Sequence, residues 1–119
     1  MIDEGGAAPC PRILVIVPAY NEEASIATLL QRFETVRRGL PNLDLLVVDD
    51  GSIDGTVSEV RRMGVAVAPM PIHLGIGAAL RTGFRHAVDA GYDGAIQLDA
   101  DGQHDPCEIR RILVGLADG

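Results

Sequence analysis

Lysine and tryptophan are absent from this chain of 119 residues, and only two tyrosines and two phenylalanines are present. All ten cationic side chains are arginines, set against 17 carboxylates, so the formal net charge is −7. Nucleic-acid binding needs a basic face, so we expect no nucleic-acid partner. A polyanionic ligand would need a local cation, which either an arginine or a bound metal ion can supply.

Cysteine is almost as scarce. Cys10 and Cys107 lie far apart and form neither a C-x-x-C pair nor a disulfide framework, which is typical of a reducing compartment. Apolar runs stay shorter than the roughly 18 residues that a membrane span needs. The acidic, glycine-rich N-terminus is unlike a signal peptide. We therefore expect a cytoplasmic protein.

Short apolar runs alternate along the chain with amphipathic segments, which indicates one domain. Continuous β-branched apolar runs are typical of strands buried in a parallel sheet. The predicted strands cover residues 13–17, 43–50, 65–69 and 94–99. A helix is predicted after each strand, the third over residues 77–90 and the last from Asp105. Residues 1–11 lack periodicity and are predicted to form a flexible tail.

Helix ends and faces are also predicted from the pattern. Asn21 is expected to cap the first helix, and the spacing of Thr56 and Glu59 is typical of a capping box. The predicted inner side of the third helix consists of Leu80, Phe84, Ala87 and Val88.

This alternation predicts an α/β fold, with a parallel sheet covered by helices on both faces. In such sheets, ligands bind beyond the carboxyl ends of the strands. Four polar segments are expected at that edge: 18–23 (PAYNEE), 49–55 (DDGSIDG), 71–83 (PIHLGIGAALRTG) and 99–104 (DADGQH). Their convergence on one edge indicates a ligand site.

The DADGQH segment is either a polar turn or a metal site. An EF-hand loop is excluded, because it needs Gly at its sixth and Glu at its twelfth position, where Arg110 stands. Asp105 is explained as the cap of the last helix. Asp99 and Asp101 repel each other, and a cation would relieve that repulsion. Such oxygen ligands suit Mg²⁺ or Mn²⁺, and Gln103 can add an amide oxygen.

Asp49 and Asp50, at the end of the second strand, also admit two interpretations. They form a turn, or one of them accepts hydrogen bonds from a nucleobase or a ribose. Tyr20 packs within the protein or stacks on a base. Glu22 is an acid at the positive end of a helix or a ribose acceptor.

Gly75 belongs to a Gly-Ile-Gly segment that weakly resembles a phosphate loop. A dinucleotide fingerprint directly after the first strand is missing. Arg81 follows near the carboxyl edge of the sheet, where its guanidinium could contact a diphosphate.

Four stretches together resemble the family 2 glycosyltransferases of the GT-A fold: ILVIVPAYNEEASI, LLVVDDGSIDGT, GIGAALRTGFRHAVDAGYD and IQLDADGQHDP. The similarity covers residues 13–116 and is closest to the dolichyl- or polyprenyl-phosphate sugar synthase-like branch. It implies a Rossmann-like parallel-sheet domain that binds a nucleotide sugar. It also implies an inverting transfer of the sugar from a nucleotide diphosphate donor.

The resemblance assigns roles to residues by position. The implied nucleotide-binding residues are Pro18, Tyr20, Glu22 and Asp50. The residue pattern at the strand ends adds Asp49, Gly75 and Arg81 to the predicted nucleotide-binding set. Asp99 and Asp101 would form the D-x-D pair that binds Mg²⁺ or Mn²⁺, with Gln103 assisting. The metal would act as a Lewis acid on the departing phosphate and supply the positive charge that an acidic chain lacks.

Two departures from the family pattern matter. The segment before Gly75 often carries Asn in that family, where this chain has His73. Family members are also longer, with the acceptor half and the catalytic base beyond the D-x-D segment. Residues 12–119 therefore correspond to the donor-binding half, a truncated GT-A domain, and the catalytic base is unknown.

The resemblance further implies a UDP- or GDP-linked sugar donor and a lipid-phosphate acceptor. We expect peripheral membrane association of the full-length protein, and homo-oligomers through apolar surface that the missing half would cover. One alternative is a nucleotide-sugar and metal binding module without transfer activity. Another is a receiver-like or dinucleotide-binding domain, against which the missing fingerprint weighs.

Overall fold

The computed structural model describes residues 11–40 and 42–100. Within these ranges, four strands and three helices follow in the predicted alternating order. The strands are β1 (Ile13–Ala19), β2 (Leu43–Asp49), β3 (Ala66–Pro69) and β4 (Gly94–Gln97). The helices are α1 (Ile26–Arg37), α2 (Thr56–Arg62) and α3 (Ile76–Asp89). The predicted last helix from Asp105, and all but the final residue of the predicted tail, lie outside the described residues.

The four strands form one parallel sheet in the order β3–β2–β1–β4. Ile13 lies opposite Leu43 on one side and opposite Gly94 on the other, so β1 is central. The chain builds outward from β1 to β3 and then crosses back to the far side of β1. Such a reversal opens a crevice at the carboxyl ends of the strands. The predicted α/β class is confirmed.

Side chains of β1 alternate between two apolar cores. Val15 and Val17 belong to the core shared with α1 and α2, while Leu14 and Ile16 belong to the core under α3. This division follows from the two-residue period of a strand. The α1 residues predicted from helical spacing are all buried: Ile26, Leu29, Leu30, Phe33 and Val36.

The first strand was predicted to end before Pro18, but β1 includes Pro18 and continues to Ala19. Proline lacks the backbone N–H that a central strand needs for its ladder. Pairing of β1 with β4 stops at Ile16 and Gln97, so at Pro18 only the β2 side has a ladder partner. β4 is accordingly shorter than predicted, although Leu98 N still donates to Ile16 O at 2.9 Å.

The predicted buried face of α3 is right only in part, since Ala87 is buried and Leu80 packs partly buried against the core. The buried residues of α3 are small: Ala79, Gly83 and Ala87. Phe84 and Val88 were expected inside but are 41% and 78% exposed. A Cβ on Gly83 would lie 2.5 Å from Ile16 Cγ2, so the helix lies too close to the sheet for a larger side chain. Helical spacing of large apolar residues was misleading because close packing here requires small ones.

Both predicted helix caps are wrong. α1 begins after Ser25, and Asn21 lies outside the helix with φ +52°. α2 has Gly55 at its N-cap, so Thr56 is its first helical residue, and Glu59 makes its side-chain hydrogen bonds within α2. The side chains predicted as caps instead bind neighbouring loops at the carboxyl edge of the sheet. Among the described residues, the helices are too short or too polar to cross a membrane.

Candidate functional site

A cavity of about 390 Å³ opens at the carboxyl ends of β1, β2 and β4, where the strand order reverses. The predicted residues that line it are Pro18, Tyr20, Glu22, Asp50 and Asp99. Pro18 lies at the end of β1 and the others in the loops after β1, β2 and β4, so the sheet topology brings them together. Its volume suits a small-molecule ligand. The described part of its lining contains three carboxylates and no arginine.

Asp50 is the buried carboxylate of this cavity, with 5% of its side chain exposed. Its Oδ1 accepts a hydrogen bond from Leu74 N at 2.8 Å, and its Oδ2 accepts one from Gly75 N at 2.9 Å. Gly75 adopts φ +100°, a conformation that favours glycine. Gly75 therefore shapes the loop around Asp50, and the structure does not place it in the cavity wall.

Tyr20 and His73 stack on each other beside Asp50. Their ring centroids are 3.9 Å apart and their planes differ by 26°. His73 Nδ1 lies 2.9 Å from Asp50 Oδ2, and both rings line the cavity. The aromatic surface and the buried carboxylate therefore form one continuous cluster.

Glu22 is oriented by the loop that follows β1. Its backbone N–H donates to Thr56 Oγ1 at 2.9 Å, and its Oε2 accepts a hydrogen bond from Ser25 Oγ at 2.9 Å. Ser25 Oγ also lies 3.2 Å from Ala100 O, in the loop after β4. One serine thus connects Glu22 with the segment that carries Asp99.

Reciprocal hydrogen bonds join the loops after β1 and β2. Asn21 N donates to Ser52 Oγ at 2.8 Å, and Asn21 Oδ1 accepts from Ile53 N at 3.0 Å. Glu23 N donates to Asp54 Oδ2 at 3.2 Å. These contacts hold the two loops at a fixed separation beside the cavity.

Asp49 and Asp54 accept hydrogen bonds within the turn after β2. Asp49 is buried and accepts hydrogen bonds from the backbone and side chain of Ser52, so the structure places it in the turn and not in the cavity wall. Burial tends to raise the pKa of Asp54. Hydrogen bonds from the side chain and backbone of Thr56, and from Glu23 N, outweigh burial and lower that pKa below 3.8.

The predicted metal site is described only in part. Asp99 lines the cavity, and its Oδ1 accepts a hydrogen bond from Gln97 Nε2 at 3.0 Å. Asp101 and Gln103 lie outside the described residues. Within residues 11–40 and 42–100, no group of three or more histidine, cysteine or acidic side chains is arranged to hold a metal ion.

Arg81 is exposed on α3 and is not among the residues that line the cavity. A Cβ on Gly77 would lie 3.6 Å from its guanidinium, so Arg81 extends back along the helix toward the N-terminus of α3. The structure therefore places the guanidinium beside the first turn of α3, and Arg81 is not among the residues that line the cavity with Asp50 and Tyr20.

Two residues that contact the predicted site residues, Ser25 and His73, were not predicted from the sequence. Ser25 was not recognised because its hydrogen bond to Ala100 joins two loops that are distant in sequence. His73 carried one signal, its difference from the Asn common in the resembled family, but its stacking on Tyr20 depends on how two loops pack.

The parallel sheet and the cavity at its switch point define an open α/β domain of the kind in which ligands bind at that crevice. Residues 14–118 match the family model described as glycosyl transferase family 2. The chain belongs to this family.

Named relatives agree with this membership. Over 118 residues, the chain is 36% identical to the polyprenol monophosphomannose synthase of Mycolicibacterium smegmatis. The match covers 93% of this chain but only 43% of that relative, so the chain spans less than half of its length.

Solved structures give the same fold. The mannosyltransferase PcManGT from Pyrobaculum calidifontis, in complex with GDP-Man and Mn²⁺, matches with a TM-score of 0.66 and 35% identity, over 76% of this chain and 28% of that one. The glucosyl-3-phosphoglycerate synthase from Mycobacterium tuberculosis, in complex with UDP, matches with a TM-score of 0.74 and 27% identity, over 92% of this chain and 41% of that one. The predicted GT-A fold is confirmed.

Proposed function

We propose that this chain is the donor-binding half of an inverting glycosyltransferase and binds a nucleotide diphosphate sugar in the cavity at the switch point. The observation that carries this proposal is the convergence of Tyr20, Asp50 and Asp99 from three loops on one cavity. Family membership supports it, as do solved relatives in complex with GDP-Man or UDP. A UDP- or GDP-linked sugar is the donor class.

The donor is proposed to lie across β1. Asp50 follows β2 and Asp99 follows β4, and these strands flank β1 on opposite sides. Neighbouring strands are about 4.8 Å apart, so the two carboxylates bracket about 10 Å, enough for a nucleoside diphosphate. The nucleoside lies at Asp50 and Tyr20, with Pro18 in the floor and Glu22 at the ribose. The diphosphate lies at Asp99.

A divalent metal, Mg²⁺ or Mn²⁺, is part of the proposal. A diphosphate would be repelled by the carboxylates that line the described cavity, and that lining includes no arginine to offset them. Asp99 and Asp101 would hold the ion, with Gln103 assisting, because hard cations prefer oxygen ligands. When bound, the metal neutralises charge on the departing diphosphate. Mn²⁺ in PcManGT supports this assignment.

Calorimetric titration tests the proposal. UDP- and GDP-sugars are added to the 119-residue chain with and without Mn²⁺. We expect one of the two nucleotides to bind only with metal, and Asp101→Ala to abolish that binding. Asp89→Ala is the matched control, because it removes a carboxylate that is 69% exposed on α3, outside the cavity lining. Absence of binding to either nucleotide under both conditions would contradict the proposal.

The alternative is a nucleotide-sugar and metal binding module without transfer activity. It is favoured by the chain spanning only 43% of the polyprenol monophosphomannose synthase. Incubation of the isolated chain with donor and a polyprenyl phosphate distinguishes the two. Transfer of the sugar would refute the module and would also show that a catalytic base lies within residues 1–119.

The acceptor and the location are proposed by analogy with the relatives alone. A lipid phosphate is the proposed acceptor, because the relative from Mycolicibacterium smegmatis is named as a polyprenol monophosphomannose synthase. Peripheral association with a membrane is proposed for the full-length protein, with this half on the cytoplasmic side. Co-sedimentation of the full-length protein with polyprenyl-phosphate vesicles tests both.

A further inference from the structure

His73 connects the two groups that the proposed function assigns to the nucleoside. Its ring stacks on Tyr20 at 3.9 Å, and its Nδ1 lies 2.9 Å from Asp50 Oδ2. Half of the His73 side chain is exposed, against 5% of Asp50. The imidazole therefore covers the buried carboxylate and presents its own surface to the cavity.

The hydrogen on the His73 ring can be assigned from its neighbours. Nδ1 also lies 3.2 Å from the backbone carbonyl oxygen of Asp50, which can only accept a hydrogen bond. Nδ1 is therefore the donor, and the carboxylate of Asp50 accepts from it as it does from Leu74 N and Gly75 N. This bond fixes the ring in its position beside Tyr20.

The backbone of His73 packs closely on the turn after β2. Gly51 adopts φ +73°, and a Cβ there would lie 2.5 Å from His73 N. The loop after β3 thus packs directly on the turn after β2. The stack of Tyr20 and His73 is therefore built into the contact between three loops.

We propose that the nucleobase of the donor packs on the stacked pair of Tyr20 and His73, so that His73 determines affinity for the base and not for the diphosphate. The inference rests on the proposed nucleotide-sugar function. The diphosphate end lies at Asp99, on the opposite side of β1 from the loops that carry His73. Aromatic surfaces stabilise bound bases by stacking, which does not depend on base identity.

Two variants separate the ring of His73 from its hydrogen bond. His73→Phe keeps an aromatic ring and loses the donor to Asp50, whereas His73→Asn keeps a donor and loses the ring. We expect His73→Asn to weaken the metal-dependent binding of UDP or GDP by about tenfold, and His73→Phe to retain most of the affinity. A role limited to holding Asp50 would give the opposite order.

Pyrophosphate with Mn²⁺ serves as the ligand without a base. We expect both variants to bind it as the wild type does, because pyrophosphate has no base to pack on the rings. In the wild type itself, the imidazole proton resonances of His73 should shift on addition of UDP or GDP, and not on addition of pyrophosphate.

The outcomes distinguish this inference from the function on which it rests. A wild-type chain that binds neither nucleotide overturns both. A wild-type chain that binds nucleotide, with His73→Asn equally tight, overturns this inference alone. The same holds if His73→Phe is as weak as His73→Asn, or if pyrophosphate binding falls in parallel with nucleotide binding.

Discussion

Gly83 sets the distance between α3 and the central strand. A Cβ at this position would lie 2.5 Å from Ile16 Cγ2 and 3.0 Å from Ile16 Cδ1, and Ile16 is fully buried and cannot move away. At the residue scale, this contact explains why the buried stripe of α3 consists of alanine and glycine. Because of this contact, any side chain introduced at Gly83 is expected to overpack the core.

We predict that Gly83→Ala destabilises the chain by about 1–2 kcal/mol, because overpacking costs about 1–3 kcal/mol and the gain in helix propensity returns up to about 1 kcal/mol. Gly77→Ala, in the same helix, is the control. A Cβ there meets only the flexible guanidinium of Arg81 at 3.6 Å, so stability should stay equal or rise. Urea unfolding of both variants checks this, and equal stabilities would contradict it.

Tyr92 comes just before β4, at the amino-terminal edge of the sheet and away from the cavity. Its Oη donates to Asp44 Oδ2 at 2.7 Å, and the Arg12 guanidinium lies 4.5 Å from its ring centroid. The hydrogen bond to Asp44, together with burial, raises the pKa of Tyr92 above 10.0. This stabilising contribution is therefore complete below pH 10.0 and is lost as the pH rises through the folded-state pKa.

We predict that Tyr92→Phe lowers the free energy of unfolding by about 1 kcal/mol at neutral pH, and that the difference from wild type shrinks once Tyr92 ionises. Urea unfolding at neutral and strongly alkaline pH measures this. Phenolate absorbance in a Tyr20→Phe background follows Tyr92 alone, because the chain has two tyrosines and no tryptophan. A constant difference across the alkaline range would argue against this assignment.

At the scale of elements, the loops after β1, β2 and β3 pack on one another more closely than their sequences suggest. Gly51 is the point of closest approach, since a Cβ there would lie 2.5 Å from both His73 N and the carbonyl carbon of Ile72. Backbone atoms cannot rotate away as a side chain would. Any side chain at Gly51 must therefore move the loop that carries His73.

We predict that Gly51→Ala destabilises the chain by at least about 1 kcal/mol more than Gly64→Ala. Both glycines have φ +73°, so both substitutions carry the same left-handed strain, but a Cβ at Gly64 meets nothing within 4 Å. Thermal unfolding compares the two. Nucleotide titration should show weaker binding for Gly51→Ala alone, and equal behaviour of the two variants would refute the loop contact.

Elements were predictable from the sequence where local pattern determines them. The spacing of apolar residues in the strands and around Phe33 in α1 predicted which side chains are buried. The positions of the strand ends predicted that Asp50 and Asp99 lie on the same edge of the sheet. The orientation of α3 was not predictable, because it depends on Gly83 fitting against Ile16. The role of His73 was missed for the same reason, since its partners are 23 and 53 residues away in the chain.

At the scale of the whole molecule, α3 carries a stripe of apolar residues that is largely exposed within the described part of the chain. Its residues recur every four positions: Ile76, Leu80, Phe84 and Val88. Ile76 and Val88 are 57% and 78% exposed, and Leu80 is half-buried. Sequence reasoning expected such a surface and self-association through it, and self-association stays a prediction.

We predict that the isolated chain self-associates through this stripe, because pairing two copies would remove apolar surface from water. Val88→Glu should shift the equilibrium toward monomer in sedimentation velocity. Thr82→Glu is the control, since it adds the same charge at an exposed position of α3 away from the stripe. Sedimentation as a monomer at all concentrations would rule this out.

The carboxylates around the cavity have a thermodynamic consequence. Three carboxylates line the described part of the cavity, and a cation bound there would offset their charge, whereas an anion would add to it. If nucleotide and metal meet there, each must raise the affinity for the other by the same factor, because coupling free energies between two ligands are reciprocal. The nucleotide would then control occupancy by the metal as much as the metal controls occupancy by the nucleotide.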